Sequence, residues 1–214
     1  MEHRLRVTEI FFSLQGETRT VGLPTVFVRL TGCPLRCGYC DTAYAFQGGT
    51  WYEIEAILQQ VAHFGVSHVT VTGGEPLAQR SCLGLLQSLC DAGYEVSLET
   101  SGALDISCVD LRVNKVIDIK TPGSGEVQRN RFENISFLLS HDQVKFVICN
   151  RADYDWSKAI LQQYQLPEIC EVLFSPSYGE QKAGELADWI IKDRLRVRLQ
   201  VQLHKYLWGD VPGR

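Results

Sequence analysis

An open, partial βα barrel is the fold class this sequence predicts. Short β-rich runs alternate with longer amphipathic ones, a pattern that builds a parallel α/β sheet with right-handed crossovers. About six βα units are present, too few to close an eight-fold barrel. The unusual glycine-, proline- and cysteine-bearing sequences all follow strand-like runs, on the rim where such folds gather their chemistry.

The first barrel strand is expected at Val26–Leu30, leading into the cysteine-rich run 31–50. A helix is expected over Tyr52–Phe64, because Ile54, Ile57, Leu58 and Val61 recur every three or four residues and give one apolar face. Strand His68–Thr72 ends in T-G-G-E-P, and a helix follows over Gln79–Asp91. Strand Tyr94–Leu98 ends in E-T-S-G, and only a short, ill-defined piece near 105–110 separates it from strand Lys115–Ile119. That strand ends in D-I-K-T-P-G-S-G, which opens the one flexible stretch expected, 120–130. Helix Arg131–Leu139, strand Gln143–Ile148 and helix Tyr154–Tyr164 come next, then strand Glu171–Phe174 with S-P-S-Y-G behind it. Helix Glu180–Lys192 and a last strand, Arg196–Leu203, complete the pattern. Beyond this alternation there is no repeat, low-complexity tract or linker.

The 214 residues suit one domain with a sizeable core. A formal charge of −4 argues against a broad nucleic-acid footprint and favours a small-molecule substrate. No apolar run approaches the roughly 18 residues of a membrane span, and M-E-H-R-L-R-V-T-E-I has no signal-peptide character. A cytoplasmic chain is expected, where eight cysteines point to metal or redox use rather than disulfides. Cys82, Cys90, Cys108, Cys149 and Cys170 are scattered, as inert thiols are.

The others are not scattered. Cys33, Cys37 and Cys40 lie in C-P-L-R-C-G-Y-C-D-T with Cys-x-x-x-Cys-x-x-Cys spacing. Three thiolates can hold three irons of a cubane cluster, leaving the fourth for an exogenous ligand, whereas such clusters more often take four cysteines. A zinc knuckle would need a fourth His or Cys that the loop does not offer.

Together with G-G-E-P at Gly73–Pro76, this loop resembles the radical S-adenosylmethionine enzymes. S-L-Q-G-E-T at Ser13–Thr18, C-D-T at Cys40–Thr42 and the terminal H-K-Y-L-W-G narrow the resemblance to the 7-carboxy-7-deazaguanine synthase family, over the whole length of the chain. The resemblance implies a 4Fe-4S cluster on the three cysteines, with S-adenosylmethionine chelating its open iron. Gly73 and Gly74 would leave no side chain between backbone and that ligand, and Glu75 would accept from its amine. Alone, G-G-E-P also fits a strand-ending turn. Further cofactor contacts carried over are Tyr39, Cys40 and Asp41, and the loops around Lys120 and Ser175. Asp118 and Lys120 fit a sheet-end ion pair equally well.

The implied substrate is 6-carboxy-5,6,7,8-tetrahydropterin. Arg29 matches the carboxylate-binding arginine, although an arginine at a strand end can also snorkel to the surface. Leu14, Gln15 and Gly16 match the segment that reads the pterin edge, where a Gln side chain offers donor and acceptor. Thr72 should face the same cavity. His204 and the C-terminal carboxylate, here that of Arg214, are placed at the substrate by family comparison, while a lone histidine on a strand is ordinarily just hydrogen-bonded. The other histidines show no ligand spacing. Thr42 matches a magnesium ligand, and magnesium prefers oxygen donors; by spacing alone, Asp41 or Thr42 could be a helix or turn cap.

The implied reaction is a ring-contracting lyase step of queuosine and 7-deazapurine biosynthesis, a tRNA modification pathway. It begins with hydrogen abstraction at C6, releases ammonia and regenerates the cofactor. No side-chain general acid or base is expected to dominate. A flavodoxin- or ferredoxin-like electron donor and a homodimer are implied too. So is a division into an N-terminal substrate-binding segment (1–24), a cluster loop (31–50) and a C-terminal strand and tail (196–214). The rival readings are a glycyl-radical-enzyme activating protein, which needs a protein-docking surface, and a non-enzymatic electron carrier or zinc scaffold with a complete protein ligand set. Pro34, Tyr39 and Thr18 depart from residues frequent in relatives (Asn, Trp and Gly), and the first two put cofactor affinity in question.

Overall fold

Two strands outside the barrel pattern flank its first strand. β1 (Arg4–Leu14) pairs antiparallel with β2 (Pro24–Leu30), and β3 (Thr50–Glu53) pairs antiparallel with the start of β1. Helix α1 (Ile54–His63), β4 (His68–Gly73), α2 (Cys82–Asp91), β5 (Glu95–Thr100), β6 (Asn114–Asp118) and β7 (Gln143–Ile148) follow. Helices α3 (Arg151–Tyr164) and α4 (Leu166–Ile169), strand β8 (Glu171–Pro176), helix α5 (Ala183–Asp193), the short β9 (Arg198–Leu199) and α6 (Leu203–Trp208) complete the chain. The computed structural model describes residues 3–209, 211 and 213. Its sheet runs β3-β1-β2-β4-β5-β6-β7-β8-β9 and is parallel from β2 to β9. The ends do not meet, so the α/β barrel is open, as the sequence predicts. Among the described residues no helix is long and apolar enough to cross a membrane.

The strand period of two separates the faces of this sheet. Val26, Val28, Leu30, Val69, Val71, Val96, Leu98, Val144, Phe146, Val172 and Phe174 point outward into one core with Ile57 and Val61 of α1, Leu85 and Leu89 of α2, and Leu186 of α5. The alternate residues point inward. Register sets Arg29 beside Thr72, Glu99 beside Val116, Asp118 beside Lys145 and Val147 beside Ser175. The concave face is therefore polar and charged at its upper rows.

Several elements differ from the sequence expectation. β1 and β3 are additional; a register shift between Val7 and Glu9 interrupts the alternation that would have marked β1. Residues 131–139 form a 3₁₀ segment, Phe132–Phe137, rather than an α-helix. There the buried Asn134 amide turns away from its own backbone to bond the Gly102 and Leu104 carbonyls, which pins the crossover. The strand over 196–203 is cut to two residues, because only Leu173 and Phe174 of β8 offer it partners. Gln200 N then closes on Phe174 O, Leu203 N bonds Gly16 O, and α6 starts. His204 thus sits on a helix.

Candidate active site

A cavity of about 540 Å³ opens at the carboxyl ends of the parallel strands. Its volume lies within the range of small-molecule sites. Cys33, Cys37 and Cys40 line one side, and no other cysteine does so among the described residues. Their loop is fastened from both flanks. Gly32 N donates to Ala45 O, Gly38 N to Ser124 O, and Arg36 N to Glu126 Oε1 at 2.6 Å. The Arg36 guanidinium turns back onto the Cys33 and Leu35 carbonyls while lying 4.2 Å from the Phe46 ring centroid. Leu35 is buried and anchors the middle of the loop.

Burial pushes the Cys33 and Cys37 thiols up, and mutual repulsion with Cys40 adds to the rise. Thiolates here need a cationic partner, which a cluster of irons supplies. Among the described residues, no three His, Cys, Asp or Glu side chains converge as ligands of a single ion. Three thiols lining one cavity suit a cluster in which three irons take one thiolate each. The donor set fits the cluster, with one iron left to a non-protein ligand.

The glycines of G-G-E-P have a packing role as well. A Cβ on Gly73 would meet Leu30 O at 2.3 Å, and one on Gly74 would meet Gly32 O at 2.3 Å and Cys33 Cβ at 2.8 Å. Their missing side chains let the end of β4 pack onto the root of the cysteine loop. Both still line the cavity. Glu75 does not: it is fully buried, and its carboxylate accepts from Leu77 N, Thr100 Oγ1, Ser101 N and Ser101 Oγ. With these bonds Glu75 ties β4 to β5, which supports the turn component of the motif.

On the adjoining wall stand Tyr39, Asp118, Lys120 and Ser175. Lys120 pairs with Asp118 at 2.7 Å and lies 5.7 Å from the Tyr39 ring centroid. The ion pair and the cavity position coexist. Tyr39 Oη and Asp118 Oδ1 are buried without a protein partner among the described residues. Buried polar atoms ordinarily have one, so this wall has capacity for a polar ligand.

Opposite lies a strongly charged floor. Arg29 is mostly buried, its Nε 2.7 Å from Glu9 Oε1, which also accepts from Tyr44 Oη at 2.8 Å. Held edge-on by Glu9 and framed by the Phe11 and Tyr44 rings, Arg29 is not a snorkelling residue. Leu14, Gln15, Gly16 and Thr72 also line the cavity. The Gln15 side chain, however, is engaged by the protein: Nε2 donates to Thr70 Oγ1 and Glu99 Oε1, and Oε1 accepts from Glu17 N. It orients Glu99 instead of presenting a free donor–acceptor edge. Thr72 Oγ1 donates to the other Glu99 oxygen at 3.0 Å. A Cβ on Gly16 would strike His204 Nδ1 at 2.4 Å, so this glycine seats the histidine, whose Nε2 is 3.9 Å from Glu17 Oε1. Arg214 lies outside the described residues.

Glu17, Glu99 and Lys145 were not singled out by sequence. Lys145 Nζ sits 3.0 Å from Glu17 Oε2. Burial pushes Glu99 up; burial is also the largest effect on Glu17, but Lys145, His204 and the Gln202 hydrogen bond together hold Glu17 low. The available signal was a lysine inside the apolar run Q-V-K-F-V-I and acids in the S-L-Q-G-E and E-T-S-G rim sequences. Near the cysteines, Asp41 Oδ1 accepts from Thr42 Oγ1 at 2.8 Å and Oδ2 takes Lys205 Nζ at 2.8 Å. Burial would raise the Asp41 carboxyl, but Lys205 and the Thr42 and Gln202 bonds hold it at about 2. Thr42 precedes a 3₁₀ turn (Ala43–Phe46) without capping it by its side chain, which removes the cap reading for Thr42.

Three thiols at the strand ends of an open parallel barrel define a radical S-adenosylmethionine enzyme, and the radical SAM superfamily model matches residues 27–117. Such enzymes carry a 4Fe-4S cluster and S-adenosylmethionine. The chain is 43% identical to a 7-carboxy-7-deazaguanine synthase from Chlorobaculum tepidum, over 97% of this chain and 96% of that one. It is 41% identical to another from Koribacter versatilis, over 95% and 97%. The crystal structure of QueE from Escherichia coli shares the fold with a TM-score of 0.77 at 21% identity, covering 94% of this chain and 95% of that one. The chain belongs to the 7-carboxy-7-deazaguanine synthase family.

Proposed function

We propose that the chain is the ring-contracting lyase that converts 6-carboxy-5,6,7,8-tetrahydropterin to 7-carboxy-7-deazaguanine and ammonia, in queuosine and 7-deazapurine biosynthesis. One observation carries this reading. A single cavity joins a wall of three cysteines to a floor with one anion-binding end, Arg29, and one acidic end, Glu17 and Glu99. A carboxypterin has the complementary ends: a carboxylate for the guanidinium, and an amino-pyrimidinone edge of N–H donors for the carboxylates.

When bound, the cluster and S-adenosylmethionine supply reductive cleavage of a sulfonium and a hydrogen-abstracting 5′-deoxyadenosyl radical. The chain's own residues orient and shield. Cys33, Cys37 and Cys40 hold the cluster, and the backbone of Gly73 and Gly74 flanks the cofactor's amino-acid end. Tyr39, Asp41, Lys120 and Ser175 border the remainder of the cofactor. Arg29 fixes the substrate carboxylate, Leu14, Gly16, Thr72 and His204 surround the ring, and Gln15 keeps Glu99 aimed at it. Thr42 fits magnesium by its chemistry: its hydrogen is donated to Asp41, which leaves its lone pairs for a cation. We further infer a single domain over 1–214, a cytoplasmic homodimer, and a flavodoxin- or ferredoxin-like reductant.

Anaerobic reconstitution with reductant, S-adenosylmethionine, magnesium and carboxytetrahydropterin should release ammonia and a deazapurine chromophore, without net consumption of S-adenosylmethionine. Cys33→Ala, Cys37→Ala or Cys40→Ala should abolish turnover. A reconstituted protein that makes no deazapurine, yet raises a glycyl radical on an added partner enzyme, would establish the activase instead.

A further inference from the structure

We propose that Lys205 makes divalent-cation capture at Thr42 conditional on the substrate's carboxylate, by neutralising the Asp41 carboxylate beside that hydroxyl. The inference rests on the magnesium reading of Thr42 and concerns how that site is kept from filling early. A neutral hydroxyl is a weak lone ligand, because magnesium gives up its waters reluctantly and favours anionic oxygen. The anionic oxygens next to Thr42 are those of Asp41. Both are in use: Oδ1 accepts the Thr42 proton at 2.8 Å, and Oδ2 takes Lys205 Nζ at 2.8 Å and Gln202 Nε2 at 3.3 Å.

The lysine is built into place rather than draped over the surface. Lys205 is 9% exposed, and its Nζ lies 4.9 Å from the Tyr178 ring centroid. Its helix, α6, is docked by Leu203 N on Gly16 O and by the fit of His204 against Gly16. Glu17, another acid of this cavity, is already shared by Lys145 and Gln202. An ammonium at this spot also repels a dication over a short, poorly screened distance. Among the described residues the site is thus one anion short until a substrate carboxylate, fixed by Arg29, supplies it. Asp41 acts through Thr42 as a positioning residue, and Lys205 sets the order of binding.

The test uses Mn²⁺ alone as the probe, followed by its free-ion EPR signal and by calorimetry on the anaerobically reconstituted protein. Wild type and Lys205→Arg should bind Mn²⁺ weakly without pterin, and carboxytetrahydropterin should tighten binding by about 5- to 150-fold, the usual range of coupling between two ligands. Lys205→Gln should bind Mn²⁺ on the order of tenfold or more tightly without pterin, since a bare carboxylate replaces a neutralised one. Adding Asp41→Asn to Lys205→Gln should erase that gain. Lys205→Gln indistinguishable from wild type, or a gain that survives Asp41→Asn, overturns the inference. A wild type in which pterin does not promote Mn²⁺ binding overturns the magnesium reading of Thr42 instead.

Discussion

Two lysines on neighbouring parallel strands, Lys115 of β6 and Lys145 of β7, are both withdrawn from water and both paired with a carboxylate. They stand on opposite faces of the sheet. Lys115 shares the outward parity of Ile117 and Ile119, and its partner Asp142 is saturated. Oδ1 accepts from Lys115 N, and Oδ2 accepts from Leu139 N and lies 2.9 Å from Lys115 Nζ. Lys145 points into the cavity, where one ammonium faces Glu17 at 3.0 Å with Glu99 and Asp118 near enough to raise its affinity for the proton against the effect of burial. A buried charge inside a packed core survives only when every partner is present. One lining a cavity can keep an unbalanced set of neighbours, and that imbalance is what a ligand reads.

The sharpest way to break this contrast is to remove each ammonium. Lys115→Met should cost about 3–5 kcal/mol of stability, because Asp142 is left charged and without water. It should leave the turnover of the molecules that still fold nearly unchanged. Lys145→Met should show the reverse signature. Water entering the cavity can solvate Glu17, so the loss of stability should be well below that of Lys115→Met. Transition-state binding should fall by about 2 kcal/mol or more, a factor of about 30 in kcat/KM. Urea unfolding and kinetics normalised to folded, cluster-loaded protein measure both. If the two variants lose stability equally, or if Lys115→Met is the one that loses kcat/KM, the division by face is wrong.

Glu75 tests the same principle at smaller amplitude, because it lies beside the cavity but belongs to the packed side. Its carboxylate collects donors from β5 and from its own turn. Glu75→Gln should cost about 1.5–3 kcal/mol, the worth of hydrogen bonds to a charged group. Any weakening of S-adenosylmethionine binding should scale with that loss. Stability left intact with cofactor affinity lost would return Glu75 to the ligand-contact role expected from the motif.

Much of this could be read without coordinates, for identifiable reasons. The parallel strands were legible because their outward residues, such as Val26, Val28, Val69 and Val71, press continuously on helices with their own apolar stripes. The cysteines were legible because three thiols in eight residues have few other uses. Less was legible wherever partners lie far apart in sequence. The Glu17–Lys145 pair spans 128 positions; the apolar run around Lys145 hints at burial, but nothing local names its partner. β1 hid behind its register shift. The strand expected over 196–203 ran too long because V-R-L-Q-V-Q alternates, while the Gly16 carbonyl that bonds Leu203 N at the start of α6 lies at the other end of the chain. The Glu75 tie to β5 was hidden for the same reason, since its donors arrive from Thr100 and Ser101 at the end of the next strand.

The smallest expected effect concerns acid stability and falls on the cavity rim. Asp41 is held at about 2, against an ordinary value of 3.8, by Lys205, Thr42 and Gln202 despite its burial. A carboxyl depressed on folding adds stability that is fully present above its unfolded value and is lost as pH falls through its folded one. Its contribution should therefore fade between about pH 4 and pH 2. Asp41→Asn removes that contribution and the Asp41 charge that faces Lys205, so the variant should be less stable at neutral pH. As the pH falls the gap should narrow, because the wild-type carboxyl is itself being neutralised. Measured as the difference in urea midpoint across that range, a gap that stays constant would show that Lys205 does not stabilise the charged form. The salt bridge at the mouth of the cavity would then be incidental to the rim. Partial exposure of the pair keeps the effect below those at Lys115 and Glu75, because exposed charges are screened by water and salt.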